Sequence, residues 1–154
     1  MSSENRQALY DQICSVLDEH GLNYERIDEL YGVRYGVGGG ELPKSFIFYA
    51  EENRLNVVSR LPFTIPDEKS MAGAIAVAAV NNRLGDGCFE YNIATGELFF
   101  RLSYNVGNSV LGKSIFYHMI SYSNDVVEQY DDSFLMFAKG KIELSAFLEI
   151  FAKE

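Results

Sequence analysis

Apolar residues recur along the chain with two different periods, and each change of period marks a new element. From Glu4 to His20, Leu9, Ile13, Val16 and Leu17 fall at helical spacing, and Gly21 stands where a left-handed C-cap belongs. The pattern predicts an amphipathic first helix. Tyr24 to Val37 holds short β-like pieces broken at Gly32 and Gly36, running into Gly38-Gly39-Gly40, which predicts a first strand that ends in a flexible loop. Ser45 to Ala50 and Leu55 to Leu61 are strand-like runs around Glu51-Glu52-Asn53-Arg54, as in a hairpin. Pairing Ala50 with Leu55 sets Phe46, Phe48, Leu55 and Val57 on one face. The other face then carries Ile47, Tyr49 and Val58, and it is too apolar for a freely solvated sheet surface.

Pro66 and Asp67 suit the first turn of a helix, and the stretch that follows to Leu84 is apolar nearly all round with small Ala and Gly residues. A helix buried on two sides is expected there. Gly85-Asp86-Gly87 ends it, and Cys88 to Ile93 alternates as a strand. The Ala94-Thr95-Gly96-Glu97 turn leads into Leu98 to Val106. A two-residue loop would pair Ile93 with Leu98, Tyr91 with Phe100 and Phe89 with Leu102, with Glu90 facing Arg101 as a surface contact. Beyond Asn108, Leu111, Ile115, Met119, Tyr122 and Val126 keep helical spacing to Tyr130. Phe134 to Ala138 extends it, with a kink allowed, and a short last helix spans Ser145 to Phe151. The predicted order is α-β-β-β-α-β-β-α-α: an α+β fold with an antiparallel sheet of about five strands flanked by helices, in one domain over residues 1–154.

A chain of 154 residues, 47% of them hydrophobic, is long enough for one sizeable core and short for two. Its longest apolar run, Met71 to Val80, falls short of the roughly 20 residues a bilayer span needs. The first residues, Met-Ser-Ser-Glu-Asn-Arg, lack a basic patch followed by an apolar run, so a cytoplasmic location is expected. Cys14 and Cys88 are read as reduced and mostly buried. The net charge of −9, without a Lys/Arg cluster, argues against nucleic acid and anionic membrane surfaces and favours a protein partner with some positive charge.

One motif looks like chemistry. Gly107-Asn108-Ser109-Val110-Leu111-Gly112-Lys113-Ser114 matches G-x-x-x-x-G-K-[ST] literally, between a predicted strand and a predicted helix. A P-loop needs its strand inside a parallel sheet and an Asp on another strand to hold Mg²⁺. The preceding strand reads as one arm of an antiparallel hairpin, and the chain after Ser114 is helical in pattern. Gly107, Gly112, Lys113 and Ser114 therefore form the rival reading, a nucleotide-dependent switch, with Lys113 otherwise a solvated residue near a helix start. His20 suits a helix C-terminus, and His118 is read as a partly buried, hydrogen-bonded ring. No metal site, nucleophile elbow or zinc-protease motif is present, and Gly36 to Gly40 lacks the order of a dinucleotide loop.

A set of short segments runs through the chain: Ser59-Arg60-Leu61-Pro62, Ile65-Pro66, Val80-Asn81-Asn82-Arg83-Leu84, Gly87-Cys88-Phe89-Glu90, Gly96, Phe99-Phe100-Arg101, Tyr130 and Gly140. Together they resemble the YbjN family of bacterial proteins, whose domain is similar to the type III secretion chaperones. The likeness runs from about Leu9 to Phe151. It implies an antiparallel sheet flanked by helices, frequent dimerisation, no cofactor and a role in protein binding or regulation, and it carries over no catalytic residue. The expectation is a non-enzymatic, chaperone-like or regulatory protein-binding module, with a second copy of the chain, as a homodimer, among its candidate partners. Ile47, Tyr49 and Val58 are its candidate contact residues, to be covered by a partner, a second subunit or a helix. A small-ligand receptor with a cavity lined by Phe46, Phe48, Phe89 and Phe100 is the third reading.

Overall fold

A computed structural model describes residues 2–38, 40–107 and 111–152. The middle of the Gly38-Gly39-Gly40 loop and Asn108 to Val110 of the P-loop match lie outside the described residues. Helix α1 (Ser2–Glu19) is followed by strands β1 (Tyr24–Ile27), β2 (Gly32–Val37), β3 (Lys44–Glu51) and β4 (Arg54–Thr64). Helix α2 (Ser70–Asn81), strands β5 (Cys88–Tyr91) and β6 (Glu97–Asn105), and helices α3 (Lys113–Ala138) and α4 (Leu144–Ala152) complete the order. The strands form one antiparallel sheet in the order β1-β2-β3-β4-β6-β5.

The sheet has six strands because the stretch from Tyr24 to Val37 folds back on itself. A 3-10 turn at Asp28–Leu30 reverses it, and Tyr31 takes a left-handed conformation with φ 55°. Arg6 of α1 stabilises the reversal. Its guanidinium lies 4.2 Å from the Tyr31 ring centre, Nε donates to the Ala50 carbonyl at 2.7 Å, and Nη2 donates to the Leu30 carbonyl at 3.2 Å. Nothing in the local sequence signals a contact between residues this far apart along the chain.

The β3–β4 hairpin pairs Ala50 with Leu55, as the alternation predicts. Phe46, Phe48, Leu55 and Val57 all face inward and are fully buried. Phe100 and Leu102 of β6 and Val33 and Tyr35 of β2 join them, and α1 and α3 bring Ile13, Leu17, Phe116, Met119, Val127 and Phe134 onto the same side. Each large side chain fully buried there contributes about 1.5–3 kcal/mol.

The β5–β6 hairpin pairs Tyr91 with Leu98 and Phe89 with Phe100, two residues away from the expected register. The Asn92 side chain sets this register. Its Oδ1 accepts hydrogen bonds from the Ala94 and Thr95 amides at 3.0 and 3.3 Å, so the strand ends before Ile93. Gly96 then closes the turn with φ 79°. A shift of two leaves every side chain on its face, so Phe89 still points inward and Glu90 still reaches Arg101, now diagonally.

The expectation for α2 is corrected too. Gly73, Ala76, Val77 and Val80 are buried, but Met71 is 74% exposed and Ile75 49%, because no second layer covers that side. Helix α3 runs unbroken to Ala138. Cys14 is buried as expected, whereas Cys88 is exposed, since it stands on the outer side of the edge strand β5.

Gly96 and Gly38 make a paired test. A Cβ on Gly96 would lie 2.3 Å from the Ile65 carbonyl oxygen in a backbone conformation that L residues rarely adopt, while one on Gly38 meets nothing within 4 Å. Gly96→Ala should cost about 3 kcal/mol or more in urea unfolding, and Gly38→Ala within about 0.5 kcal/mol of nothing.

Candidate functional site

Because alternation sends Phe46 and Phe48 inward, Ile47 and Tyr49 must point out, and the sheet's outer side has no helix of this chain against it among the described residues. One transverse row runs Glu25, Arg34, Ile47, Val58, Arg101, Cys88 across all six strands. Gly32, Tyr49, Asn56 and Ser103 form the next row, and Arg60, Phe99 and Glu90 line up on the other side. Ile47, Tyr49 and Val58 are therefore brought together on the open face, each half-buried by its neighbours.

Gly32 makes room for Tyr49, since a Cβ there would come within 2.5 Å of the Tyr49 Cβ. Arg101 Nη1 donates to Tyr49 Oη at 3.2 Å and Nε is bonded to Glu90, so a guanidinium bridges over β4 between the tyrosine and the carboxylate. Beneath that bridge Ser103 Oγ donates to Asn56 Oδ1 at 2.6 Å. Arg60 pairs with Glu97 at 3.2 Å, Arg34 with Glu25 at 3.6 Å, and Arg54 with Glu51 at 4.0 Å.

The face is concave at one end. Strand β4 breaks register between Arg60 and Thr64, where Pro62 has no N–H to give to a neighbouring strand. The strand bends, and an open cleft of about 720 Å³ forms between it and the sheet. Ile47, Val58, Phe63 and Phe99 supply apolar walls, with Arg34 and Arg60 beside them. Arg34, Arg60, Phe63 and Phe99 are site residues that sequence reasoning missed. Strand β4 runs on to Thr64, past the end expected at Leu61, and Pro62 directly after that run was the available signal, because a proline within a strand implies an edge or a bulge.

The other sequence candidates lie elsewhere. Gly112 caps α3, and Lys113 Nζ contacts Glu19 Oε1 at 2.5 Å while Tyr117 Oη donates to Glu19 Oε2 at 2.8 Å. Lys113 therefore ties the end of α1 to the start of α3. The hydrogen bonds from Lys113 and Tyr117 hold the Glu19 carboxyl below its ordinary range. Strand β6, which leads into the match, lies between two antiparallel neighbours, and Ser114 is exposed. Phe46, Phe48, Phe89 and Phe100 are buried against other rings. Phe89 meets Phe100 at 5.3 Å and Phe134 at 5.2 Å, and Phe48 meets Phe116 at 6.2 Å, so these side chains fill the space between sheet and helices.

His118 is exposed, yet it is hydrogen-bonded as expected. Tyr104 Oη donates to Asp86 Oδ2 at 3.1 Å, so its contact of 3.1 Å with His118 Nε2 requires the imidazole to be the donor. Burial and the Asp86 bond push the Tyr104 phenol up to about 12. Burial pushes both thiols up as well, with Glu90 adding to the effect at Cys88, so neither is an activated nucleophile. Among the described residues no group of His, Cys, Asp and Glu could hold a metal ion, and no helix is long and apolar enough to cross a membrane.

The architecture is an α+β domain with its helices on one side of an antiparallel sheet and a concave, arginine-bordered face on the other. A family model described as "Putative bacterial sensory transduction regulator" matches residues 9–136, and the chain belongs to that family, YbjN. The fold is similar to the crystal structure of YbjN from E. coli, called there "a putative transcription regulator", at 12% identity and a TM-score of 0.60, covering 78% of this chain and 86% of that one. An uncharacterized protein from Methanothermobacter thermautotrophicus aligns over 92% of this chain and 97% of its own at 16% identity, with a TM-score of 0.48. No curated protein matches the chain.

The Tyr104 network has a pH consequence. A phenol that titrates near 12 in the folded chain and near 10 when unfolded contributes stability that is complete below about pH 10 and is lost as pH rises through 12. Tyr104→Phe should flatten the alkaline fall in unfolding free energy and remove one late step from the tyrosinate absorbance titration.

Proposed function

We propose that this chain is a non-enzymatic regulatory module that works by binding another protein on its open sheet face. The observation that supports this most directly is the outer row itself: Ile47 and Val58 stand at the centre of the six-stranded sheet, where burial is deepest in most folds, and no part of the described chain covers them. A sheet face that no helix covers is ordinarily polar. Here it carries Ile47, Val58, Phe63 and Phe99 around a cleft.

The family description points to regulation, and the chemistry of the site fits a role without catalysis. Guanidiniums and apolar groups dominate the cleft, and its lining holds no carboxylate, imidazole or thiol to act as base or nucleophile. The nucleotide reading loses its central group, because Lys113 is engaged by Glu19 far from any parallel strand end. Met71 and Ile75 on α2 form a smaller exposed apolar strip on the other layer.

A photo-crosslinking amino acid placed at Tyr49 in the native cell should give discrete protein adducts. The same group at the exposed Glu149 of α4 should give none of them, and Val58→Asp should abolish the Tyr49 adducts without unfolding the chain. An absence of adducts at Tyr49, or adducts unaffected by Val58→Asp, would count against the open face as the binding surface.

A further inference from the structure

We infer that the cleft on the open face accepts an apolar protein segment bearing one or two carboxylates, a reading that rests on that face being a docking surface. Charge complementarity carries the argument. The cleft lining contains Arg34 and Arg60 and no acidic residue, although the chain as a whole has 22 acidic and 13 basic side chains. Over the whole face Arg34, Arg54, Arg60 and Arg101 are balanced by Glu25, Glu51, Glu97 and Glu90, so the positive character is local to the cleft lining.

Both cleft guanidiniums are available. The Arg34 side chain is 50% exposed and that of Arg60 63%, and their partners Glu25 and Glu97 lie outside the cleft lining. The Arg34–Glu25 pair is exposed at both ends and therefore weak. An incoming carboxylate can replace Glu25 at small cost, or share the exposed Arg60 with the half-buried Glu97, and a planar guanidinium offers it two parallel hydrogen bonds. Arg34 and Arg60 lie two strands and two residues apart, roughly 12 Å, with Ile47 and Val58 along the path from one to the other, so apolar side chains of the segment would fill the space between its charges.

A second copy of the chain fits this face poorly. Stacking two faces about a two-fold axis centred on Ile47 and Val58 sets Arg34 of one copy against either Arg101 or Arg34 of the other. The net charge of −9 disfavours an acidic partner at long range, and taken alone it favours a basic one. That field is screened beyond about 8 Å at physiological salt, whereas the cleft contacts are made at hydrogen-bond distance.

Three short fluorescent peptides of one length test the inference by anisotropy: alternating Ile/Phe with Asp, the same with Lys for Asp, and the same with Ser for Ile and Phe. The Asp–Ile/Phe peptide should bind best, and Arg34→Gln with Arg60→Gln should weaken it about tenfold while circular dichroism stays unchanged. Equal binding of the Lys peptide, or no loss in the double variant, overturns the inference. If no peptide binds, the double variant is placed in the Tyr49 crosslinking experiment. Adducts lost with the arginines support the acidic partner, and adducts that persist overturn it while leaving the docking face intact. An absence of Tyr49 adducts in the unaltered chain defeats the docking face itself and, with it, this inference.

Discussion

Burial of one sheet face under the helices governs the rest of this structure. Phe46, Phe48, Leu55, Val57, Phe100 and Leu102 are drawn inward against Phe116, Met119, Val127 and Phe134, and that single layer of contacts holds α1 and α3 to the strands. Because side chains alternate along a strand, each inward residue fixes the direction of its neighbours. Ile47, Tyr49, Val58 and Arg101 are outward for that reason and no other. What the core does not dictate is their chemistry. A face left to water could carry threonine, lysine and glutamate throughout, and this one has isoleucine, valine and phenylalanine at its centre with arginine–glutamate pairs around them.

The cleft depends on the same frame with one departure from regularity. Strand β4 is eleven residues long and cannot stay flat, since Pro62 interrupts its ladder and the register shifts between Arg60 and Thr64. Leu61 and Ile65 remain anchored in the core, and the Ile65 amide donates to the Gly96 carbonyl at 2.8 Å, which ties the bent end to the β5–β6 turn. The bend therefore has fixed ends, and Phe63 and Phe99 stand on either side of the hollow it makes. The Ser59-Arg60-Leu61-Pro62 and Gly96 segments that carry the family resemblance are the ones that build this curvature.

Alternation makes much of this legible in the sequence. It set the β3–β4 register at Ala50 and Leu55, separated Phe46 and Phe48 from Ile47 and Tyr49, and marked the second group as unusually apolar. It failed where a side chain far away in sequence, or a polar group at a turn, decides the outcome. Arg6 shapes the β1–β2 reversal from α1, and the Asn92 side chain shortens β5. The apolar pattern of α2 is the same whether one side or both are covered, so it could not report that Met71 and Ile75 stay exposed. The literal G-x-x-x-x-G-K-S match shows the converse: spacing can be satisfied while the surrounding strands are antiparallel and the lysine serves to join two helices. Arg34 and Arg60 escaped notice because two strands and a bend bring them to one cleft.

Hydroxyl-radical labelling read by mass spectrometry, on the purified chain and inside the native cell, tests the binding face most directly. Met71, 74% exposed on the helix layer, serves as the internal reference. Tyr49, Phe63 and Phe99 should react in the purified chain and be protected in the cell, with Met71 equally reactive in both. Equal labelling of those three residues in both settings would contradict the account.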